Sequence, residues 1–105
     1  IMKSDNSILI INLYGEDKIG VVRYDAINNH THVSINTNPK FRKMGFGSKM
    51  LVESESFLSL NKLFPNIVIA NIIKNNLSSV KVFEKAKFKL ESEEDEYFVY
   101  KKVIK

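Results

Sequence analysis

The chain has 105 residues, 44% of them hydrophobic, and its 16 basic and 12 acidic side chains leave a formal net charge of +4, the balance of one globular domain with a single, modest core. With no cysteine and only His30 and His32, disulfides and thiolate metal sites are excluded and a structural zinc site is not expected. No apolar run approaches the roughly 18 residues of a membrane span, and no signal-peptide pattern opens the chain, so no membrane partner is expected and the cytoplasm is the expected compartment.

Ile1 stands before Met2, which reads as an excision boundary and allows a longer natural chain upstream. The apolar run Ser7 to Tyr14 predicts a strand that ends in a turn at Gly15-Glu16-Asp17. Lys18 to Ala26, dominated by Ile19, Val21, Val22 and Tyr24, predicts a second strand, and Asn28-Asn29 a hairpin turn. His30 to Thr37 alternates His32, Ser34 and Asn36 against Val33, Ile35 and Thr37, the period of a third strand. Three strands joined by short turns make an antiparallel meander.

Pro39 to Ser48 holds the densest local signal. Gly45 and Gly47 allow a tight turn that exposes consecutive N–H groups, Arg42 and Lys43 add positive charge, and a helix follows. Its positive dipole end lies on the same spot, so the segment is built for a phosphate or pyrophosphate. The helix is predicted over Ser48 to Lys62, with Met50, Leu51, Phe57 and Leu58 inward and Lys49, Glu53 and Glu55 outward. Ile67 to Ile73 then reads as a buried strand, parallel to the third strand in a right-handed βαβ unit. Asn76 or Ser78 caps a second helix running to about Lys87, with Val80, Phe83 and Ala86 inward. A hairpin of Phe88 to Leu90 and Tyr97 to Ile104 closes the chain around an acidic turn, giving one α+β domain over residues 1–105.

Five of the twelve acids crowd into Glu91 to Glu96, leaving seven against sixteen basic residues elsewhere, a balance of +9. Nucleic acid is not the expected partner, because the aromatics are not interleaved with the basic residues as a stacking surface needs. A dinucleotide fold fits poorly, since Met50 stands where the third glycine belongs and no acidic ribose reader follows. The absence of a G-K-[ST] ending excludes a nucleotide triphosphatase.

The order of three strands, R-x-x-G-x-G, helix, strand, N-x-x-S helix and hairpin resembles the GNAT superfamily of acyl-CoA-dependent N-acetyltransferases. The match is carried by Pro39, Phe41, Arg42, Gly45 and Gly47, then by Asn76, Ser79, Phe83, Glu84, Lys85 and Phe88, and it spans roughly residues 7 to 104. The resemblance implies a GNAT-like mixed sheet whose central parallel strands splay at a bulge, and acetyl-CoA as co-substrate. Its pyrophosphate would be gripped by the segment Arg42, Lys43, Met44, Gly45, Phe46, Gly47 and Ser48, chiefly through backbone N–H groups, and its pantetheine arm paired with Ile35, Asn36 and Thr37. Asn76 would bind that arm or cap the second helix, with Ser79 and Phe83 beside it. Val21 to Asp25 with Val33 to Asn36 is similar to acetyltransferases of nucleotide-linked amino sugars. The family's upstream strand and two helices are missing here, so the acceptor wall is expected to be closed by a partner, such as a second copy, or by a larger parent chain.

Two residues depart from the family pattern. Phe83 stands where many relatives carry the tyrosine that protonates the departing thiolate, leaving that step to water, Tyr97 or Tyr100. Lys87 replaces a glycine expected in left-handed conformation. The reaction the resemblance implies is direct attack of a small-molecule amine on the thioester, with an oxyanion donor among the backbone N–H groups near Asn71 or Ile35. His32 and Asp25 lead the candidates for the base, ahead of Glu53 and His30, because imidazole exchanges protons near neutral pH. Two functions of different class follow: an active N-acetyltransferase, favoured by Arg42, Gly45, Gly47 and Asn76, and a non-catalytic coenzyme A-binding or assembly module, favoured by Phe83.

Overall fold

The computed structural model describes residues 2–3, 6–41, 45–60 and 64–104. Strands β1 (Met2–Lys3), β2 (Ser7–Tyr14), β3 (Asp17–Ile27) and β4 (His30–Thr37) precede a single 3-10 turn at Pro39–Phe41 and helix α1 (Phe46–Ser59). Strand β5 (Ile67–Ile73), helix α2 (Leu77–Lys85) and strands β6 (Lys89–Glu93) and β7 (Tyr97–Val103) complete the order. One seven-stranded sheet results, in the order β1-β2-β3-β4-β5-β7-β6. Every neighbouring pair is antiparallel except β4 and β5. The mixed α+β sheet with its meander, βαβ unit and terminal hairpin is the predicted one, with the two-residue β1 added at its edge.

Both hairpins of the meander turn in two residues. Tyr14 pairs with Asp17 around Gly15-Glu16, and Ile27 with His30 around Asn28-Asn29. Such tight turns need positive φ, which Gly15 supplies at 63° and Asn28 at 56°.

Both helices lie on the same face of the sheet. From β3, the buried Tyr24 hydroxyl meets the Ser54 Oγ of α1 at 2.6 Å. From β7, the Tyr100 hydroxyl donates to Glu84 of α2 at 2.8 Å. Lys102, two residues along the same face of β7, donates to Glu55 of α1 at 2.6 Å and to the Ala86 carbonyl at 2.8 Å, tying both helix ends to one strand. Beneath them Val22, Val33, Val68, Ala70 and Ile72 form the sheet side of the core. The opposite face carries Arg23, Ser34 and Asn71 in the open and Asp25, His32 and Ile69 half-buried.

Helix α1 differs from its predicted form. It starts two residues early, at Phe46, because Gly45 takes a left-handed φ of 81° at the N-cap and lets the helix begin directly behind it. Its last helical residue is Ser59, with Leu60 as the C-cap, and the predicted extension over Asn61 and Lys62 lies outside the described residues. The buried stripe is Gly47, Met50, Leu51, Ser54 and Leu58. Phe57, predicted inward, is 41% exposed, because the stripe passes through Ser54 and Leu58 instead. A serine serves there because its hydroxyl is satisfied twice, by Tyr24 and by donating to the Leu51 carbonyl at 2.8 Å.

Helix α2 is capped by Asn76, whose side chain accepts from the Ser79 N–H at 3.2 Å. It ends with the Phe88 N–H donating to the Phe83 carbonyl and the Lys87 N–H to the Glu84 carbonyl, both at 3.0 Å, with Lys87 at φ 75°. That is the Schellman pattern, which wants a left-handed residue where Lys87 stands. Among the described residues no helix is long and apolar enough to cross a membrane.

Candidate functional site

Strands β4 and β5 pair at two rungs, Thr31 with Val68 and His32 with Ile69, and at none beyond among the described residues. Each keeps its outer partner along its length, β4 down to Gly20–Thr37 and β5 up to Ile73–Tyr97. The sheet therefore opens as a V with His32 and Ile69 at its apex. The expected bulge is not what opens it, since β4 keeps one register with β3 from Ile27–His30 to Gly20–Thr37. Instead Asn38 fastens the exit of β4 to β3: its N–H donates to the Ile19 carbonyl at 2.7 Å and its Nδ2 to the Lys18 carbonyl at 2.8 Å.

The opening turn of α1 stands over the gap. Phe46 is held edge-on to Phe41, ring centroids 5.7 Å apart, and Gly47 lies against Val82 of α2. The space enclosed is a cleft of about 790 Å³. Ile35, Asn36 and Thr37 form its β4 wall, Phe41 and Gly45 to Ser48 its α1 wall, and Asn76, Ser78, Ser79, Lys81, Val82 and Lys85 its α2 wall. The cleft thus receives two helix N-termini, α1 at Phe46 and α2 at Leu77, whose first N–H groups carry partial positive charge. Among the described residues no carboxylate lines it, and both charged residues that do are lysines.

Of the predicted cofactor contacts, the structure brings Ile35, Asn36, Thr37, Gly45, Phe46, Gly47, Ser48, Asn76 and Ser79 to this one cleft. Arg42, Lys43 and Met44 lie outside the described residues. Phe83 does not line the cleft. It is 3% exposed, and its ring packs edge-on against Phe88 at 5.1 Å, because position 83 of α2 points at the sheet. Phe41, Ser78, Lys81, Val82 and Lys85 complete the lining; the last four are spaced three and four residues apart on one side of α2, a helical signal already present in the sequence.

His32 and Asp25 do not line the cleft either, because strand alternation turns both side chains to the helix-free face. They are direct cross-strand partners, and Ser7 sits opposite Asp25 on its other side. The Asp25 carboxylate accepts from the Ser7 hydroxyl and, at 3.0 Å to each oxygen, from Arg23 Nε. Neither tyrosine considered as a proton donor reaches the cleft. Tyr97 pairs with Ile73 on the helix-free face. Tyr100 is committed to Glu84, and burial first, then that bond and the carboxylate's charge, raise its pKa above the usual phenol value. No group of side chains suited to a metal ion occurs among the described residues.

Comparison with known proteins converges on this geometry. A search of curated proteins finds no significant sequence match. Among solved structures, an acetyltransferase of the GNAT family from Streptococcus pneumoniae superposes with a TM-score of 0.82 at 17% identity, over 97% of this chain and 69% of that one. The Campylobacter jejuni N-acetyltransferase PseH, solved with acetyl coenzyme A, gives 0.75 at 16% identity over 95% and 70%. The PaiA N-acetyltransferase of Thermoplasma acidophilum, solved with coenzyme A, gives 0.80 at 16% over 93% and 61%. At these identities the likeness is one of fold. The acetyltransferase (GNAT) family model, however, matches residues 2–88 of the sequence itself. The chain belongs to the GNAT acetyltransferase family.

Proposed function

We propose that this chain is an N-acetyltransferase that binds acetyl-CoA in the cleft between β4 and β5 and passes the acetyl group to the primary amine of a small molecule. The observation that carries the reading is the meeting of three features in one cavity: parted parallel strands, a glycine-opened helix N-terminus and a lining that holds no acid among the described residues. The residues present fit such a donor. A β-carbon at Gly47 would crowd Val82, so the absent side chain is what lets the α1 turn approach α2 around a ligand. Gly45 at φ 81° starts the helix with its first N–H groups turned to the cleft, suited to a diphosphate. The β4 segment Ile35 to Thr37 suits an amide-bearing arm laid along a strand that lacks its neighbour.

The acceptor enters from the helix-free face, where His32 stands at the apex of the V. His32 takes the proton the amine sheds as its N–C bond forms and the thioester C–S bond breaks, while water protonates the released thiolate. Asp25, the cross-strand neighbour of His32, has its carboxylate held by Arg23 and Ser7. An amino sugar is the acceptor class favoured by the resemblance of residues 21–25 and 33–36.

A second reading, a coenzyme A-binding module without turnover, is favoured by one observation: among the described residues no tyrosine lines the cleft. Calorimetry with acetyl-CoA, followed by thiol release against a panel of amines including amino sugars, separates the two. Binding with turnover supports the enzyme, binding without turnover on every amine supports the module, and no heat sinks both.

A further inference from the structure

Resting on that reading, we propose that Lys81 and Lys85 form a second anion site in the cleft, one that takes the 3′-phosphate of the donor's nucleotide and makes the protein select coenzyme A over its 3′-dephospho form. Position along α2 is the first argument. Val82 faces Gly47, so the middle of α2 lies against the opening turn of α1. Asn76 and Ser78 line the cleft at the start of α2, three to five residues after β5 ends, whereas Lys85 lines it at the last helical residue. At about 1.5 Å per residue, Asn76 and Lys85 are roughly 13 Å apart along the axis. A donor with its thioester at the parted strands and its diphosphate at the α1 turn therefore carries its nucleotide end outward, past Lys81 towards Lys85.

Charge is the second argument. Coenzyme A presents two separate anions, a diphosphate and a ribose phosphate monoester. Helix N–H groups suit the first; the second, close to a dianion at neutral pH, calls for cations. Among the described residues that line the cleft, Lys81 and Lys85 are the two charged ones. Neither has an ion-pair partner among the described residues, whereas Lys40, Lys49, Lys74, Lys101 and Lys102 each face a carboxylate. Two like charges at i and i+4 repel one another on a helix surface, and an anion held between them turns that repulsion into attraction.

Calorimetry on the whole chain with coenzyme A and with 3′-dephospho-coenzyme A tests the assignment. The wild-type protein is expected to bind coenzyme A about tenfold more tightly, the scale of two partly exposed charge-assisted contacts. That preference shrinks towards unity near 1 M salt, where the screening length falls to about 3 Å. The double variant Lys81→Gln, Lys85→Gln, with its melting temperature unchanged, is expected to bind both ligands with the wild-type affinity for the dephospho form. A wild type that binds the two ligands equally, a double variant that keeps the preference, or one that weakens both ligands alike overturns the lysine site while leaving the donor reading in place. No heat with either ligand overturns the donor reading and the lysine site together.

Discussion

Val82 leaves almost no room for a side chain on Gly47: a β-carbon there would stand 3.0 Å from Cγ2 and 3.1 Å from Cγ1. Valine in a helix has one strongly preferred rotamer, so those methyl groups cannot swing aside freely. Gly47→Ala is expected to gain about 0.5–1 kcal/mol from backbone entropy and to lose about 1–3 kcal/mol to overpacking. Urea denaturation should show a net loss near 1 kcal/mol. Adding Val82→Ala should recover part of it, with a coupling of at least about 0.5 kcal/mol; strictly additive effects would remove the contact from the account. Gly47→Trp, with folding checked by circular dichroism, should lose measurable coenzyme A binding.

Lys87 holds a φ of 75°, where a β-carbon meets the following carbonyl. Lys87→Gly should therefore stabilise the protein by about 0.5–1 kcal/mol, the gain in local strain exceeding the extra freedom of the unfolded chain. A melting temperature raised by about 3–6 °C is the expected reading. An unchanged or lower value would mean that the helix end relaxes without cost.

Tyr24 has its pKa pushed up to about 12, chiefly by burial, with the Ser54 hydrogen bond opposing and the charge of Glu55 adding to the rise. The sign follows from linkage. The unfolded chain releases this proton near pH 10 while the folded protein keeps it, so stability is full below pH 10 and falls as pH climbs towards 12. The loss attributable to Tyr24 is on the order of 2–3 kcal/mol by pH 12, and Tyr100, also raised, bends the curve the same way. Thermal melts between pH 9 and 11.5 should show the decline, and Tyr24→Phe should flatten it. An equally steep decline in the variant would place its origin elsewhere.

His32 stands at the last rung before β4 and β5 part but does not line the cleft. His32→Gln is accordingly expected to lower kcat by about a hundredfold, the lower scale of general-base catalysis, while the affinity for acetyl-CoA stays within twofold. A variant with near wild-type kcat would assign proton removal to another group.

Much of the site was legible because it is local. The glycines at the start of α1, Gly45 as its cap and Gly47 in its first turn, and the Asn76 cap of α2 act through main-chain conformation within a few residues, so their types and spacing announce them. The three meander strands were legible for the same reason, with apolar runs in the first two, alternation in the third and turn residues between them. Phe57 misled the reading because hydrophobicity outranked the helical stripe, which in this fold accepts a serine. The inward turn of Phe83 and the committed Tyr100 hydroxyl depend on neighbours far along the chain, and no local pattern encodes them.

The residues alone determined that three strands meander, that a glycine opens the helix after them, and that a second capped helix follows a buried strand, since each depends on dihedral preference and period within a short window. Only the tertiary structure decided that β4 and β5 part after His32, that Asn38 holds β4 to β3, and that the lysines of α2 share the cleft with the α1 turn. Those are distances between segments twenty to fifty residues apart, and packing both helices on one face of the sheet is what sets them.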